Sequence, residues 1–461
     1  MSITRRDFLA TATAAAAASL NACRPGRPVN LLARDGRPMP SRAQLEWQQD
    51  ELALFLHFGV NTFTDREWGD GAENPAIFAP SRLDARQWAR AARAGGFRAM
   101  ILTAKHHDGF CLWPSRTTNH SVAKSPWRSG QGDVVREFVD ACRAEGLKAG
   151  LYLSPWDRHE PSYGDSGRYN DLYIDQLTEL LTRYGRINEV WFDGANGEGP
   201  NGKRQVYDWS RVWSTVRRLQ PDAVMFSDAG PDVRWIGNER GVAGDTNWST
   251  VDPAVVPYPG AGGDAVMRML QQGDPAGTVW RPGETDVSIR PGWFSHPAEH
   301  VRVRTAEQLV ELYFTSVGRN SKLLLNVPPT VEGLLHEIDV TRLAEMRGRL
   351  HALFRDDLTA GSRSSSLAPG DHSAFAEIDL GRTASVGIID LREDITRGQV
   401  IARHSIEGRL DGDWQVLARG TTIGFRRLHR LAPVAVRHVR LVIEDAVGVA
   451  RPVRLGLYAG G

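Results

Sequence analysis

Along this chain, five successive short apolar runs are each followed by residues able to move protons or hold hydroxyl groups. His57 closes the first run, with Glu67-Trp68 in the stretch after it. Lys105-His106-His107-Asp108 closes the second, and Tyr152 closes the third ahead of Ser154-Pro155-Trp156. Asp193 ends the fourth, while Asp228, Arg234-Trp235 and Asn238-Glu239 follow the fifth. A late loop adds Glu284, Asp286 and Arg290-Pro291-Gly292-Trp293-Phe294. Carboxylates, imidazoles, an arginine and several rings in one pocket would suit a sugar, since aromatic faces cover C–H patches while polar groups bond hydroxyls. Two carboxyl groups are also what glycoside hydrolysis requires, one ionised below the anomeric carbon and one protonated beside the leaving oxygen. Asp193, at the end of an apolar strand, is expected to be rigid and ionised. Glu239 sits on a longer loop, and a nearby Trp235 or Trp248 would raise its pKa by desolvation.

Each feature alone has a plainer explanation. A strand-end histidine is commonly a satisfied structural group, an Asp before Gly a turn or cap, and a loop Trp simple packing. Turn chemistry does not account for recurrence after five consecutive runs. A metal site is the other use of clustered histidines, but His106 and His107 are adjacent and lack a free third and fourth partner nearby. No metal and no cofactor is expected.

The elements that must position these residues alternate from about residue 45 to 357. Strands are predicted at Leu52–Phe58, Arg98–Ala104, Leu147–Leu153, Glu189–Asp193, Ala223–Ser227, Thr278–Arg281 and Lys322–Val327. Helical patterns over Asp84–Ala94, Asp133–Ala144, Tyr169–Tyr184, Val206–Leu219 and Ala306–Val317 lie between them. Short buried strands alternating with helices predict a parallel sheet wrapped by helices. An eighth strand near Val242–Asp245 would close a (β/α)8 barrel, whose chemistry lies on loops after the strands' carboxyl ends. A doubly wound open sheet is the competing architecture, but no GxGxxG or Walker loop follows the first strand. After a Ser-rich hinge at Ser362–Ser366, residues 358–461 read as an all-β sandwich. Its strands are predicted at Ala374–Leu380, Ser385–Asp390, Gln399–Glu407, Asp413–Thr421, Val436–Ile443 and Val453–Tyr458. Trp414 is its only tryptophan, so it reads as a buttress rather than a sugar-binding module.

The 461 residues exceed one ordinary core, which fits a large domain plus a smaller one. Lys+Arg (56) and Asp+Glu (55) nearly cancel, which argues against a nucleic-acid binder. Residues 1–22 carry Arg5-Arg6 before an Ala-rich apolar run, the pattern of a twin-arginine export signal. That run ends at Leu20-Asn21-Ala22-Cys23, which resembles a lipobox with Asn departing from the usual small residue. An exported protein is expected, periplasmic or anchored to the membrane by lipid on Cys23, with 23–44 as a linker. Cys111 and Cys142, the other two cysteines, are expected to be buried and unpaired.

The motifs HFGVNTF with EW after it, LTAKHHDGFCLW, GLYLSPWD, VWFDGA, RWIGNE, DVSIRPGWF and LLLNVPPTVEGLLHE resemble those of glycoside hydrolase family 29, the retaining α-L-fucosidases. The resemblance covers the predicted barrel, and a β-sandwich after it is usual for the family. It implies that Asp193 is the nucleophile and that His57, Glu67, Trp68, His106, His107 and Tyr152 bind fucose. It also implies that Arg234 and Trp293 line the same pocket. GNE followed by DTNWST and DVSIRPGWF resembles the subgroup acting on α-1,3/1,4-linked fucose, in which Glu239 would be the acid/base. Asn247 stands where that subgroup commonly has Cys. A fucosylated oligosaccharide or glycoconjugate is the implied partner. The competing readings are a non-catalytic carbohydrate-binding lipoprotein and a metal-assisted hydrolase; Glu284 is the second candidate for the acid.

Overall fold

The computed structural model describes residues 31–33, 36–364, 375–451 and 453–460. The predicted export segment 1–22, Cys23, and Ser365 and Ser366 of the predicted hinge lie outside the described residues. Eight parallel strands make the first sheet: β1 Leu52–Leu56, β2 Ala99–Lys105, β3 Lys148–Leu153, β4 Glu189–Trp191, β5 Val224–Phe226, β6 Arg234–Trp235, β7 Gly283–Ser288 and β8 Ser321–Asn326. They run in the order β5-β4-β3-β2-β1-β8-β7-β6. A parallel bridge between Phe226 and Val233 brings the two edges together and closes the barrel.

Strand alternation separates two apolar layers. Ala53, Phe55, Ala99, Ile101, Tyr152, Trp191, Val224, Phe226, Val233 and Leu324 point inward and pack as one cluster. Leu52, Leu54, Leu56, Met100 and Leu102 point outward into a larger cluster with the helices. Helix α1 (Arg42–Gln49) opens with a Ser41/Gln44 capping box and buries Trp47 in the inward cluster, so it fills the amino end of the barrel. The flanking helices are α2 Ala85–Ala94, α3 Val134–Ala144, α4 Ser166–Arg183, α5 Trp209–Leu219, α6 Asp264–Gln272, α7 Ala306–Thr315 and α8 Glu337–Phe354. Asp84, Asp133, Asp208 and Thr305 cap α2, α3, α5 and α7 by accepting a backbone N–H.

Two strands differ from expectation. Val242–Asp245 forms no strand; the sixth is Arg234–Trp235. The apolar run at Thr278–Arg281 contributes only Val279–Trp280, paired antiparallel with Thr250–Val251 in a side ribbon. The seventh barrel strand is instead Gly283–Ser288, fully buried although its sequence is GETDVS. Its inward carboxyl groups are bonded inside the barrel, so burial there does not require apolar residues.

The carboxyl-terminal domain is a six-stranded antiparallel sheet of β9 Arg363–Ser364, β10 Phe375–Glu393, β11 Ile401–Leu410, β12 Asp413–Gly420, β13 Arg427–Ala446 and β14 Val453–Tyr458. The expected barrel followed by a β-sandwich is thus the architecture observed. Two runs predicted as separate strands, Ala374–Leu380 and Ser385–Asp390, are one long strand whose pairing with β13 shifts register twice. Such irregularities bend a strand, and β10 and β13 curve around a core that includes Val386, Ile389, Val439 and Leu441. Buried polar bonds tie this domain to the barrel: Arg426 bridges Asp390 and Glu51, and Gln399 Oε1 accepts from Ser249 N at 2.7 Å. Cys111 and Cys142 are buried and unpaired.

Candidate active site

Asp193 follows β4 at the carboxyl end of the barrel, with its side chain about 29% exposed. Tyr152 Oη donates to its Oδ2 at 3.0 Å, and the backbone N–H of Ala195 donates to Oδ1 at 2.7 Å. His107 Nε2 lies 3.9 Å from Oδ2. Two donors from different strand ends thus hold this carboxylate in one orientation.

The imidazoles around it are buried and neutral at pH 7. Burial pushes His57 down to about 4, and it lowers His106 and His107 as well. Neighbouring bonds set their tautomers. His57 Nδ1 donates to Asn326 Oδ1 at 2.8 Å, which leaves Nε2 as an acceptor. Ser154 gives its hydroxyl proton to Trp156 O and so accepts from His107 Nδ1 at 2.7 Å. Neutral imidazoles with one free acceptor suit sugar hydroxyls.

Aromatic rings complete the basin. Trp293 sits with its ring 5.1 Å from His57, and Trp156 lies 4.9 Å from His107. Trp68, more than half exposed, stands edge-on to His107 and Trp156 at the mouth. Glu67 reaches the basin through its bonds to another loop: its two oxygens accept the backbone N–H groups of Trp293 and Phe294 at 2.8 and 3.0 Å. Glu239 is exposed on the loop after β6. Partial burial and then the charge of Asp193 raise its carboxyl, while the Trp293 indole opposes the shift by bonding it.

Arg234 does not line this pocket, contrary to expectation. Val233 and Trp235 pack with the inward cluster, so alternation turns Arg234 outward. There it is fully buried, donating to Leu270 O, Arg281 O and Asn247 Oδ1. Asn247 also accepts Arg234 at the seam with the second domain, where its N–H bonds Thr422 Oγ1. Glu284 is likewise removed from acid duty, because it is wholly buried inside the barrel beside Lys322 and accepts the Trp191 indole at 3.0 Å.

The inward face of β7 organises the pocket's tryptophans. Glu284 holds Trp191, Asp286 accepts the Trp235 indole at 2.8 Å, and Ser288 donates to Gly292 O beside Trp293. Asn326 adds a bond to Trp293 O at 2.8 Å. Asn326 carries no role in the sequence reading, although it ends β8 and the strand-end rule applied to the other runs reaches it. Among the described residues, no group of three or more His, Cys, Asp or Glu side chains is arranged to hold a metal ion.

The alpha-L-fucosidase family model matches residues 39–351, the whole stretch that builds this barrel and pocket. The chain belongs to that family. It is a glycoside hydrolase with α-L-fucosidase activity. Alpha-L-fucosidase 1 of Arabidopsis thaliana is 45% identical over 451 residues, covering 91% of this chain and 87% of the relative. Among solved structures, SpGH29 superposes with a TM-score of 0.87 at 40% identity, covering 94% of this chain and all of that one. A Ruminococcus gnavus GH29 fucosidase in complex with fucose gives 0.84 at 32% identity, covering 95% and 97%. In this fucosidase the matched region contains the nucleophile candidate, the imidazoles and the acid candidate alike.

Proposed function

We propose that this fucosidase removes terminal α-linked fucose, α-1,3- or α-1,4-bonded in branched glycans, by double displacement with retention. Asp193 is the nucleophile and Glu239 the acid/base. The observation that carries the reading is the fixed Asp193 carboxylate: bonded by Tyr152 and Ala195, it faces a basin of neutral imidazoles with Glu239 close enough for its charge to be felt. His57, His106, His107 and Tyr152 bond the fucose ring, Trp68 and Trp293 cover its apolar face, and Glu67 holds the Trp293 loop. In the first step the Asp193 carboxylate attacks the anomeric carbon, the glycosidic C–O bond breaks, and the Glu239 proton passes to the departing oxygen. In the second, Glu239 takes a proton from water, whose oxygen displaces Asp193 and regenerates both groups. A relative of known structure is solved with fucose bound, which supports fucose as the sugar held.

Asp193→Gly tests the assignment. Turnover should fall on the order of 10³-fold or more, and azide should restore part of it as β-fucosyl azide. Near-normal turnover in the folded variant would remove Asp193 from this role. Cleavage of a Lewis trisaccharide against a fucosyl-α-1,2-galactoside tests the linkage, and a preference for the latter would reject the subgroup.

Export to the periplasm with lipid on Cys23 belongs to the same proposal and rests on Arg5-Arg6 and the run ending at Cys23. Arg5→Lys with Arg6→Lys should leave precursor in the cytoplasm. Mass spectrometry of the mature amino terminus separates acylated Cys23 from plain cleavage.

A further inference from the structure

His296, in the loop from β7 to α7, has no part in the mechanism, yet both nitrogens of its ring meet carboxylates. Nδ1 lies 2.7 Å from Asp65 Oδ1, and Nε2 lies 2.7 Å from Glu67 Oε1. A neutral imidazole has one N–H and would set its other nitrogen's lone pair against a carboxylate oxygen, whereas the imidazolium donates at both ends. Asp65 ends the short helical turn Val60–Thr64 in a left-handed conformation (φ 56°, ψ 41°), which Asp tolerates better than most residues. Glu67 Oε1 also accepts the Phe294 N–H and Oε2 the Trp293 N–H, so His296 closes a ring of bonds around the loop that carries Trp293. Gly292 leaves room for this ring: a Cβ there would stand 2.5 Å from Glu67 Oε1 and 3.0 Å from His296 Cδ2. Among the described residues, no lysine or arginine forms an ion pair with Asp65 or Glu67; Arg66, between them, pairs with Asp70. Glu299 of the same loop accepts the Gly292 N–H.

We propose that His296 is a positioning residue: as an imidazolium it fastens the Trp293 loop through Glu67, and loss of its proton loosens that loop and weakens the hold on fucose. The inference rests on the reading of Trp293 as part of the fucose pocket, where its ring lies 5.1 Å from His57 and its indole bonds Glu239. The charged groups that face His296 are Asp65 and Glu67, both from the loop after β1. Burial opposes the charge on the ring, but the bonds to these two carboxylates outweigh it and raise the imidazole above its ordinary value. His57, His106 and His107 show the reverse, since burial lowers all three. Deprotonation leaves one N–H for two carboxylates, so one bond is lost whichever tautomer forms. The neutral imidazoles face the sugar, while the charged one holds the wall.

The test measures the inhibition constant of free fucose against an aryl fucoside as a function of pH, which reads binding apart from the chemical step. In wild type it should rise about 3- to 10-fold as pH passes the His296 titration, which lies above the ordinary value of about 6.5. His296→Gln should bind fucose as weakly as alkaline wild type at every pH, with no rise. Asp65→Asn should move the rise to lower pH, and it keeps the test alive if His296→Gln does not fold. The imidazole resonance missing from His296→Gln should titrate in wild type at the same midpoint as the inhibition constant. A level constant in wild type, or a rise that survives unmoved in either folded variant, would overturn the proposal. Trp293→Ala is run in parallel. If it leaves fucose binding unchanged, the reading of Trp293 as part of the pocket has failed and the proposal with it. If it weakens fucose while the wild-type constant stays level, the proposal alone has failed.

Discussion

Tyr152 and Asp193 end neighbouring barrel strands, and the phenol of one donates to the carboxylate of the other at 3.0 Å. The phenol ring is itself held, stacked 5.3 Å from Trp191, whose other face lies 4.0 Å from Phe226. The orientation of this proposed nucleophile is therefore set by packing inside the barrel. Tyr152→Phe retains the stack and deletes only the hydroxyl. A lost bond to a charged group is worth about 1.5–3 kcal/mol, so turnover should fall on the order of 10- to 100-fold with little change in Tm. An unchanged kcat would show that Ala195 N alone orients Asp193.

As the proposed acid, Glu239 must begin the reaction protonated, and its carboxyl is raised by burial and by Asp193. Activity on a natural oligosaccharide should accordingly fall as pH rises through that raised value. Glu239→Ala should cripple the oligosaccharide but spare the first step with aryl fucosides, where little acid help is needed. Added azide should then yield the α-fucosyl azide. Equal losses on both substrates, with azide inert, would place the acid elsewhere.

His57 gives a stability signature. Its folded pKa of about 4 lies below the usual 6.5, so the unfolded chain binds the proton more readily in between. Stability is thus full above pH 6.5 and declines as pH falls toward 4, by about 3 kcal/mol for this group. His57→Gln should start less stable and lose less on acidification. Parallel Tm-against-pH curves for the two proteins would refute the contribution.

Arg234 should behave as part of the wall. Its guanidinium bonds two carbonyls and Asn247, with no contact to Asp193. Arg234→Met leaves those acceptors buried and unpaired, which costs about 2–4 kcal/mol and several degrees of Tm. KM of the fraction that folds should stay close to wild type. A selective rise in KM with unchanged Tm would return Arg234 to the pocket.

What the sequence could convey followed the periodicities it contained. Runs such as LALFL at β1 and the Asp-capped helices are apolar patterns of recognisable period, and they lie where expected. GETDVS at β7 has no such signature, because its inward residues exist to bond Trp191 and Trp235 rather than to pack. Two-residue β6 is too short for any period, which hid the alternation that turns Arg234 outward. His57, His106, His107, Tyr152 and Asp193 were legible as strand-end residues. The use of Glu67 as a brace for the Trp293 loop was not, since the two lie more than 200 positions apart and meet only through barrel closure.

Helix α1, with Trp47 seated in the amino end of the barrel, makes the catalytic chamber a cul-de-sac. Traffic in and out must share one doorway at the rim where Trp68 stands. Under the proposed double displacement, the remainder of the glycan has to withdraw before water can follow it in, and free fucose can depart only after that. That mechanism makes release strictly ordered, with the sugar last, so fucose should compete with incoming substrate while the departed chain should not.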